Sequence, residues 1–179
     1  MLRLLGEVCA ELGARGVSCA LIGAGAMAAH GVSRSTADLD LLATDRAVLE
    51  PSFWSALVTH GVAVDVRRGE EDDPLAGVVR FASPGERPVD LVVGRPAWLR
   101  QALARAVPTT LGAASVPVVT LPDLVLLKLY AGGPQDAWDV EQLLDAGERR
   151  ATEAAVSARI GELPPEASRL WERIRQGRG

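Results

Sequence analysis

The chain has 179 residues, 48% of them hydrophobic and 4% aromatic, which suits a globular core of Leu, Val and Ala and excludes an intrinsically disordered protein. A formal net charge of −4 excludes a basic nucleic-acid coat, and no apolar run reaches the length of a membrane-spanning helix. The first residues lack a secretory h-region and cleavage site, so a cytoplasmic protein is expected, with Cys9 and Cys19 as small core residues rather than a disulfide.

Leu2, Leu5, Val8, Cys9 and Leu12 recur at helical spacing and predict an amphipathic helix over 2–14, stopped near Gly16. Residues 17–22 read as a short strand, broken by Gly23-Ala24-Gly25. A small-residue helical turn follows from Ala24 to His30, and Gly31 stops it. A polar link then leads into an alternating strand that opens Asp38-Leu39-Asp40-Leu41. Residues 46–60 read as a helix, 62–67 as a strand and 71–77 as a charged loop. Ser83-Pro84-Gly85-Glu86, between the apolar runs 78–81 and 89–93, predicts a hairpin. Residues 96–106 read as a helix with Pro96 in its first turn, and 107–120 as extended chain compatible with a second hairpin. From Leu121 the pattern is helical, with a frayed end over 176–179. The expected organisation is an α/β part, 1–120, followed by a helical part, 121–179.

Asp38 and Asp40 lie two apart in a strand, so their carboxylates share one face while Leu39 and Leu41 take the other. Two neighbouring carboxylates repel, and a cation between them relieves this; hard oxygen donors of this kind suit Mg²⁺. On spacing alone, an equally good reading has Asp38 opening the strand and Asp40 facing water. Just upstream, the turn Gly23-Ala24-Gly25 at a helix start presents backbone N–H groups of the sort that bind phosphate. Downstream, Asp90 is a lone acid in the apolar run 89–93, costly unless it faces an ion or a partner. Asp65, in Val62-Ala63-Val64-Asp65-Val66, is a rival third acid, but the hairpin context favours Asp90. Gly23-Ala-Gly-Ala-Met-Ala also fits a loose dinucleotide-binding fingerprint. The early stop at Gly31 and the later hairpins, in place of repeated βαβ units, argue against it.

The stretch Leu21-Ile-Gly-Ala-Gly-Ala-Met-Ala-Ala-His-Gly-Val-Ser-Arg-Ser-Thr-Ala-Asp-Leu-Asp-Leu-Leu resembles the signature of bacterial nucleotidyltransferases of the DNA polymerase beta superfamily. Within that group it is most like the abortive-infection type toxins of toxin–antitoxin systems. Their pattern runs from a glycine-rich turn through a helix ending in His-Gly to Arg-x-Thr-x-Asp-x-Asp, matched by Arg34, Thr36, Asp38 and Asp40. Their third acid lies on a later strand after a hairpin, as Asp90 does. Leu121-Pro-Asp-Leu-Val-Leu-Leu-Lys-Leu-Tyr-Ala-Gly-Gly-Pro-Gln-Asp-Ala-Trp-Asp-Val resembles their Lys-bearing helix, loop and Asp-x-x-Asp helix start. Two departures stand out: Gly23-Ala24 replaces a Gly-Gly or Gly-Ser pair, removing one hydroxyl contact to phosphate, and Gln135 stands where a basic residue is common.

The resemblance implies the nucleotidyltransferase fold, an α+β arrangement with a short mixed sheet flanked by helices and followed by a helical part. It further implies Mg²⁺-dependent transfer of a nucleoside monophosphate from an NTP to an acceptor hydroxyl. Asp38, Asp40 and Asp90 would hold two magnesium ions, and Asp90 would help deprotonate the acceptor. Gly23, Ala24, Gly25, Arg34, Thr36, Lys128 and Asp139 would contact the nucleotide. For the toxin group the implied acceptor is tRNA and the implied protein partner a cognate antitoxin; the alternative is a small acceptor similar to an aminoglycoside.

Lys128 is the sole lysine, set in the otherwise apolar helical run 124–130. A buried ammonium needs an anion, either the nucleotide triphosphate or Asp136 and Asp139. Asp136 also reads as a helix N-cap. Arg34 is either a phosphate clamp or a solvated linker residue, and His30 and His60 read as helix ends before glycine. Arg67, Arg68, Arg80, Arg87, Arg95, Arg100 and Arg105 together offer a basic rim for tRNA phosphates despite the acidic total.

Overall fold

Gly16, with φ +71°, ends the first amphipathic helix where a side chain would be strained, and the chain turns back into the sheet. The computed structural model describes residues 2–34, 36–112 and 114–177. These form two compact units: residues 1–29 with 34–119, and residues 30–33 with 120–179.

The first unit holds the whole sheet. Its strands are β1 (Ala20–Ile22), β2 (Leu39–Ala43), β3 (Ala63–Arg68), β4 (Leu75–Ala82), β5 (Val89–Gly94), β6 (Val107–Leu111) and β7 (Ala114–Val118). They lie in the order β3-β4-β5-β2-β1-β7-β6. β2–β5 and β1–β7 are parallel and the other pairs antiparallel, so the sheet is mixed. Helices α1 (Arg3–Ala14), α2 (Gly23–Ala29), α3 (Ser55–Thr59) and α4 (Trp98–Ala104) complete the unit.

Alternation along the central strands sorts the two faces. Leu41, Val79, Phe81, Val89 and Leu91 are fully or almost fully buried on one face. Trp54 seals it, edge-on to Phe81 at 4.6 Å, with its indole N–H donating to the Val48 carbonyl at 2.7 Å. Burial of this kind stabilises by about 1.5–3 kcal/mol per large side chain. Asp40, Arg80 and Asp90 alternate with these residues and project from the other face.

The predicted helix over 46–60 is divided into 3₁₀ turns at Arg46–Leu49 and Pro51–Trp54, then α3. Asp45 caps the first turn through Ala47 N–H at 2.9 Å, and Pro51, lacking an N–H, restarts rather than continues the helix. The expected loop 71–77 is shorter, because the Asp73 carboxylate accepts from Leu75 N–H at 2.8 Å and β4 begins there. Extended residues 107–120 do form a hairpin, β6–β7.

The second unit is helical: α5 (Leu121–Ala131), α6 (Pro134–Ala146), α7 (Arg149–Ser157) and α8 (Pro165–Gln176). Thr120 caps α5, and Gly132, at φ +69°, ends it by donating to the Lys128 carbonyl at 3.0 Å. Of the end expected to fray, Gln176 closes α8, whereas residues 178 and 179 lie outside the described residues. Among the described residues no helix is long and apolar enough to cross a membrane.

Candidate active site

Strand register assembles a row of charged side chains on the open face. Ile22 of β1 pairs with Asp40 of β2, Asp40 with Asp90 of β5, Asp90 with Arg80 of β4, and Arg80 with Asp65 of β3. The parallel β2–β5 pairing therefore sets Asp90 on the strand adjoining Asp40, with Asp38 just before β2. Asp65 is three strand spacings from Asp40, roughly 14 Å. Its side chain is 56% exposed and holds Arg67 at 2.8 Å. Register thus brings Asp90, and not Asp65, next to the Asp38–Asp40 pair.

The glycine turn packs directly against this row. Gly23 opens α2 at φ +60°, and a Cβ there would fall 2.3 Å from Asp40 Oδ2. Any side chain at 23 would displace the carboxylate, so the residue type is dictated by Asp40 as much as by φ. Ala24 and Gly25 form the next positions of α2. Asp38 is held from the backbone side. The Thr36 hydroxyl donates to the Asp38 carbonyl at 3.0 Å, and Arg87 Nη2 donates to the Thr36 carbonyl at 2.5 Å. Thr36, expected to contact nucleotide, positions Asp38 in this structure; Arg34 lies in the link outside any helix or strand.

Arg80, expected only as part of a basic rim, is the partner of the acids. Its guanidinium donates to Asp90 Oδ2 at 2.9 Å and to Asp38 Oδ2 at 3.2 Å, and so bridges two of the three acids. The available signal was its place in β4: Val79 and Phe81 alternate with it into the core, which sets Arg80 on the acids' face. Among the described residues no three acidic, His or Cys side chains converge as a ready metal cage. The donor set nevertheless fits Mg²⁺ in kind. Three carboxylates share one face, and Asp90 Oδ1 is buried with no hydrogen-bond partner among the described residues. Arg80 supplies the positive charge between Asp38 and Asp90.

Burial pushes the Asp90 carboxyl above the usual carboxylate range; Arg80 draws it back and Asp38 pushes it further up. A folded-state pKa above the unfolded value means that stability falls as pH rises through it. Asp90→Asn should therefore raise the Tm of metal-free protein at pH 7. The advantage should vanish below the ordinary carboxylate pKa, where both states are protonated. Calorimetry from pH 3 to 8 checks this, and a constant difference across the range would contradict it.

In the second unit, Lys128 Nζ lies 3.0 Å from Asp136 Oδ1 and 2.7 Å from Asp139 Oδ2. The lysine is 13% exposed and Asp139 fully buried. Asp136 stands in the first turn of α6 rather than at its cap, and its other oxygen accepts from Gly133 N–H at 3.1 Å. A second buried pair, Arg159 with Asp123 at 2.6 Å, escaped the sequence reading. The Thr120-x-x-Asp123 spacing was its only mark.

A cleft of about 300 Å³ adjoins the row, lined by Asp65, Arg67, Arg68, Asp73, Arg80 and Asp90. Most of the arginines expected to form a basic rim bind groups within the chain. Arg67 holds Asp65, Arg68 holds Glu50, Arg80 the acids, Arg87 the 36–38 carbonyls, and Arg95 the Leu75 and Glu70 carbonyls.

A mixed sheet with flanking helices is the fold of nucleotidyltransferases, and comparison with solved structures agrees. The chain is similar to the antibiotic-resistance factor ANT(2'')-Ia at 16% identity and a TM-score of 0.55, covering 88% of this chain and 89% of that one. It is similar to a putative nucleotidyltransferase from Thermotoga maritima at 16% identity and a TM-score of 0.56, covering 82% and 93%. It is also similar to the lincosamide antibiotic adenylyltransferase LnuA, solved with lincomycin bound, at 10% identity and a TM-score of 0.51, covering 82% and 98%. No protein-family profile matches the sequence, and no curated protein matches it.

Proposed function

We propose that the protein is a metal-dependent nucleotidyltransferase that moves a nucleoside monophosphate from an NTP to an acceptor hydroxyl. The observation that carries this reading is the register that sets Asp90 beside Asp40, with Gly23 packed on the Asp40 carboxylate. Asp38, Asp40 and Asp90 would hold Mg²⁺, which supplies electrostatic stabilisation of the phosphate charge. Asp90 would also help deprotonate the acceptor hydroxyl. The acceptor oxygen forms its bond to the α-phosphorus as the bond to the bridging oxygen breaks, and pyrophosphate leaves. Gly23, Ala24 and Gly25 offer backbone N–H groups to the phosphates, and Arg34 its guanidinium. For Lys128 and Asp139 the role carried from the resemblance is nucleotide contact.

The acceptor we favour is tRNA, with the protein as the toxin of a toxin–antitoxin pair in the cytoplasm, on the strength of the motif over residues 21–42. A small cationic acceptor of the aminoglycoside kind is the second reading. It is favoured by Asp73, the last residue of the acidic run 70–73, which lines the cleft, and by the internal commitment of the neighbouring arginines. Incubation with each labelled triphosphate, total RNA or an aminoglycoside, and Mg²⁺ separates them. Label on tRNA 3′ ends supports the first, label on the antibiotic alone supports the second, and no label on either overturns the transfer reading.

Because Arg80 bridges Asp38 and Asp90, a divalent cation must compete with its guanidinium. Arg80→Met is expected to tighten Mn²⁺ binding about fivefold, the order of roughly 1 kcal/mol for half-exposed charge contacts. Electron paramagnetic resonance of free Mn²⁺ measures this. Equal or weaker binding would show that Arg80 does not compete for the acids.

A further inference from the structure

Cys9 and Cys19 are the only cysteines in the sequence, and their sulfurs lie 3.9 Å apart. Cys9 sits within α1 and is partly exposed; Cys19 is buried one residue before β1. Both line a cleft of about 400 Å³ with Gly6, Gly13, Ser18 and Pro117. Two thiols that served only as small core residues would need neither this proximity nor a shared opening. We propose that Cys9 and Cys19 are a modification site, a dithiol that a low-molecular-weight disulfide converts to an intramolecular disulfide bonding α1 to the approach of β1.

The geometry asks little of the backbone. A disulfide bond of about 2.05 Å requires the sulfurs to close by roughly 2 Å, shared between two side chains turning about their Cα–Cβ bonds. The Cys19 thiol donates to Cys9 Sγ, so the two sulfurs react as one pair. The thiolate of one cysteine attacks one sulfur of the reagent, whose S–S bond breaks and releases a thiolate. That thiolate takes the proton of the other cysteine. The second cysteine then attacks the sulfur of the first and expels the second reagent thiolate. In sum, one protein thiol and one protein thiolate are oxidised, and one reagent disulfide is reduced to a thiol and a thiolate. The new bond would fasten α1 to the strand whose last residue, Ile22, pairs with Asp40.

The test uses the folded full chain and oxidised glutathione, and is independent of nucleotidyl transfer. The expected product has lost about 2 Da, two hydrogens, with no titratable thiol, no covalent dimer and both thiols restored by dithiothreitol. The Cys9→Ser and Cys19→Ser variants should each lack the loss of about 2 Da and stop at a glutathione adduct on the cysteine that remains. Two thiols still free in native protein, a stable adduct on one cysteine, or a disulfide-linked dimer would each overturn the proposal.

Discussion

Replacing Asp38 or Asp40 by Asn is expected to lower nucleotidyl transfer by about 10³-fold or more while the fold survives. Asn keeps the shape and loses the charge. The site therefore loses the oxygen donors that neutralise phosphate, an effect of roughly 3–4 kcal/mol where electrostatic stabilisation of a transition state is removed. The fold does not depend on the Asp38 charge, since the carboxylate is 32% exposed and its backbone is held by Thr36 and Arg87. Asp40→Asn keeps the packing on Gly23. Label transfer measured beside the circular dichroism melt separates the two effects. Asp65→Asn serves as the internal control. Asp65 lies on the same row but three strands away, paired with Arg67, and its replacement should leave transfer within about twofold. Full activity in the Asp38 or Asp40 variant, or its loss in the Asp65 variant, would sink the assignment of the acids.

The periodicity of Asp38-Leu39-Asp40-Leu41 made the shared face of the two acids legible in the sequence, because side-chain alternation in a strand is local. Asp90 was legible as a polar intrusion in an apolar run. The sequence could not reveal how these residues face one another. Register between β2 and β5 joins residues fifty apart and follows from sheet order, which no local pattern encodes. Arg80 was placed in a basic rim for that reason: as an arginine it resembled six others in a chain whose basic residues are nearly all Arg, and only the β4–β5 pairing sets it opposite Asp90. The basic rim was inferred from composition, which counts charges but not partners. The divided 46–60 segment shows the converse. Pro51 was in plain view, yet the helical spacing of its neighbours outweighed it.

Lys128→Met is expected to destabilise the protein by about 3–5 kcal/mol, because it leaves the buried Asp139 and the partly buried Asp136 without their ammonium. At this chain length that corresponds to a Tm loss of roughly 10 °C. Stability alone does not separate a structural ion cluster from a nucleotide contact, since both readings place a cation there. Adding Asp139→Asn removes the stranded charge and should recover more than half of the lost Tm, while Asp136 keeps its bond to Gly133 N–H. The double variant then reports on chemistry. If the ammonium serves the triphosphate, the KM for NTP of the double variant stays about tenfold or more above that of Asp139→Asn alone. If Lys128 only neutralises Asp136 and Asp139, the two KM values coincide, and the lysine is no longer a nucleotide ligand.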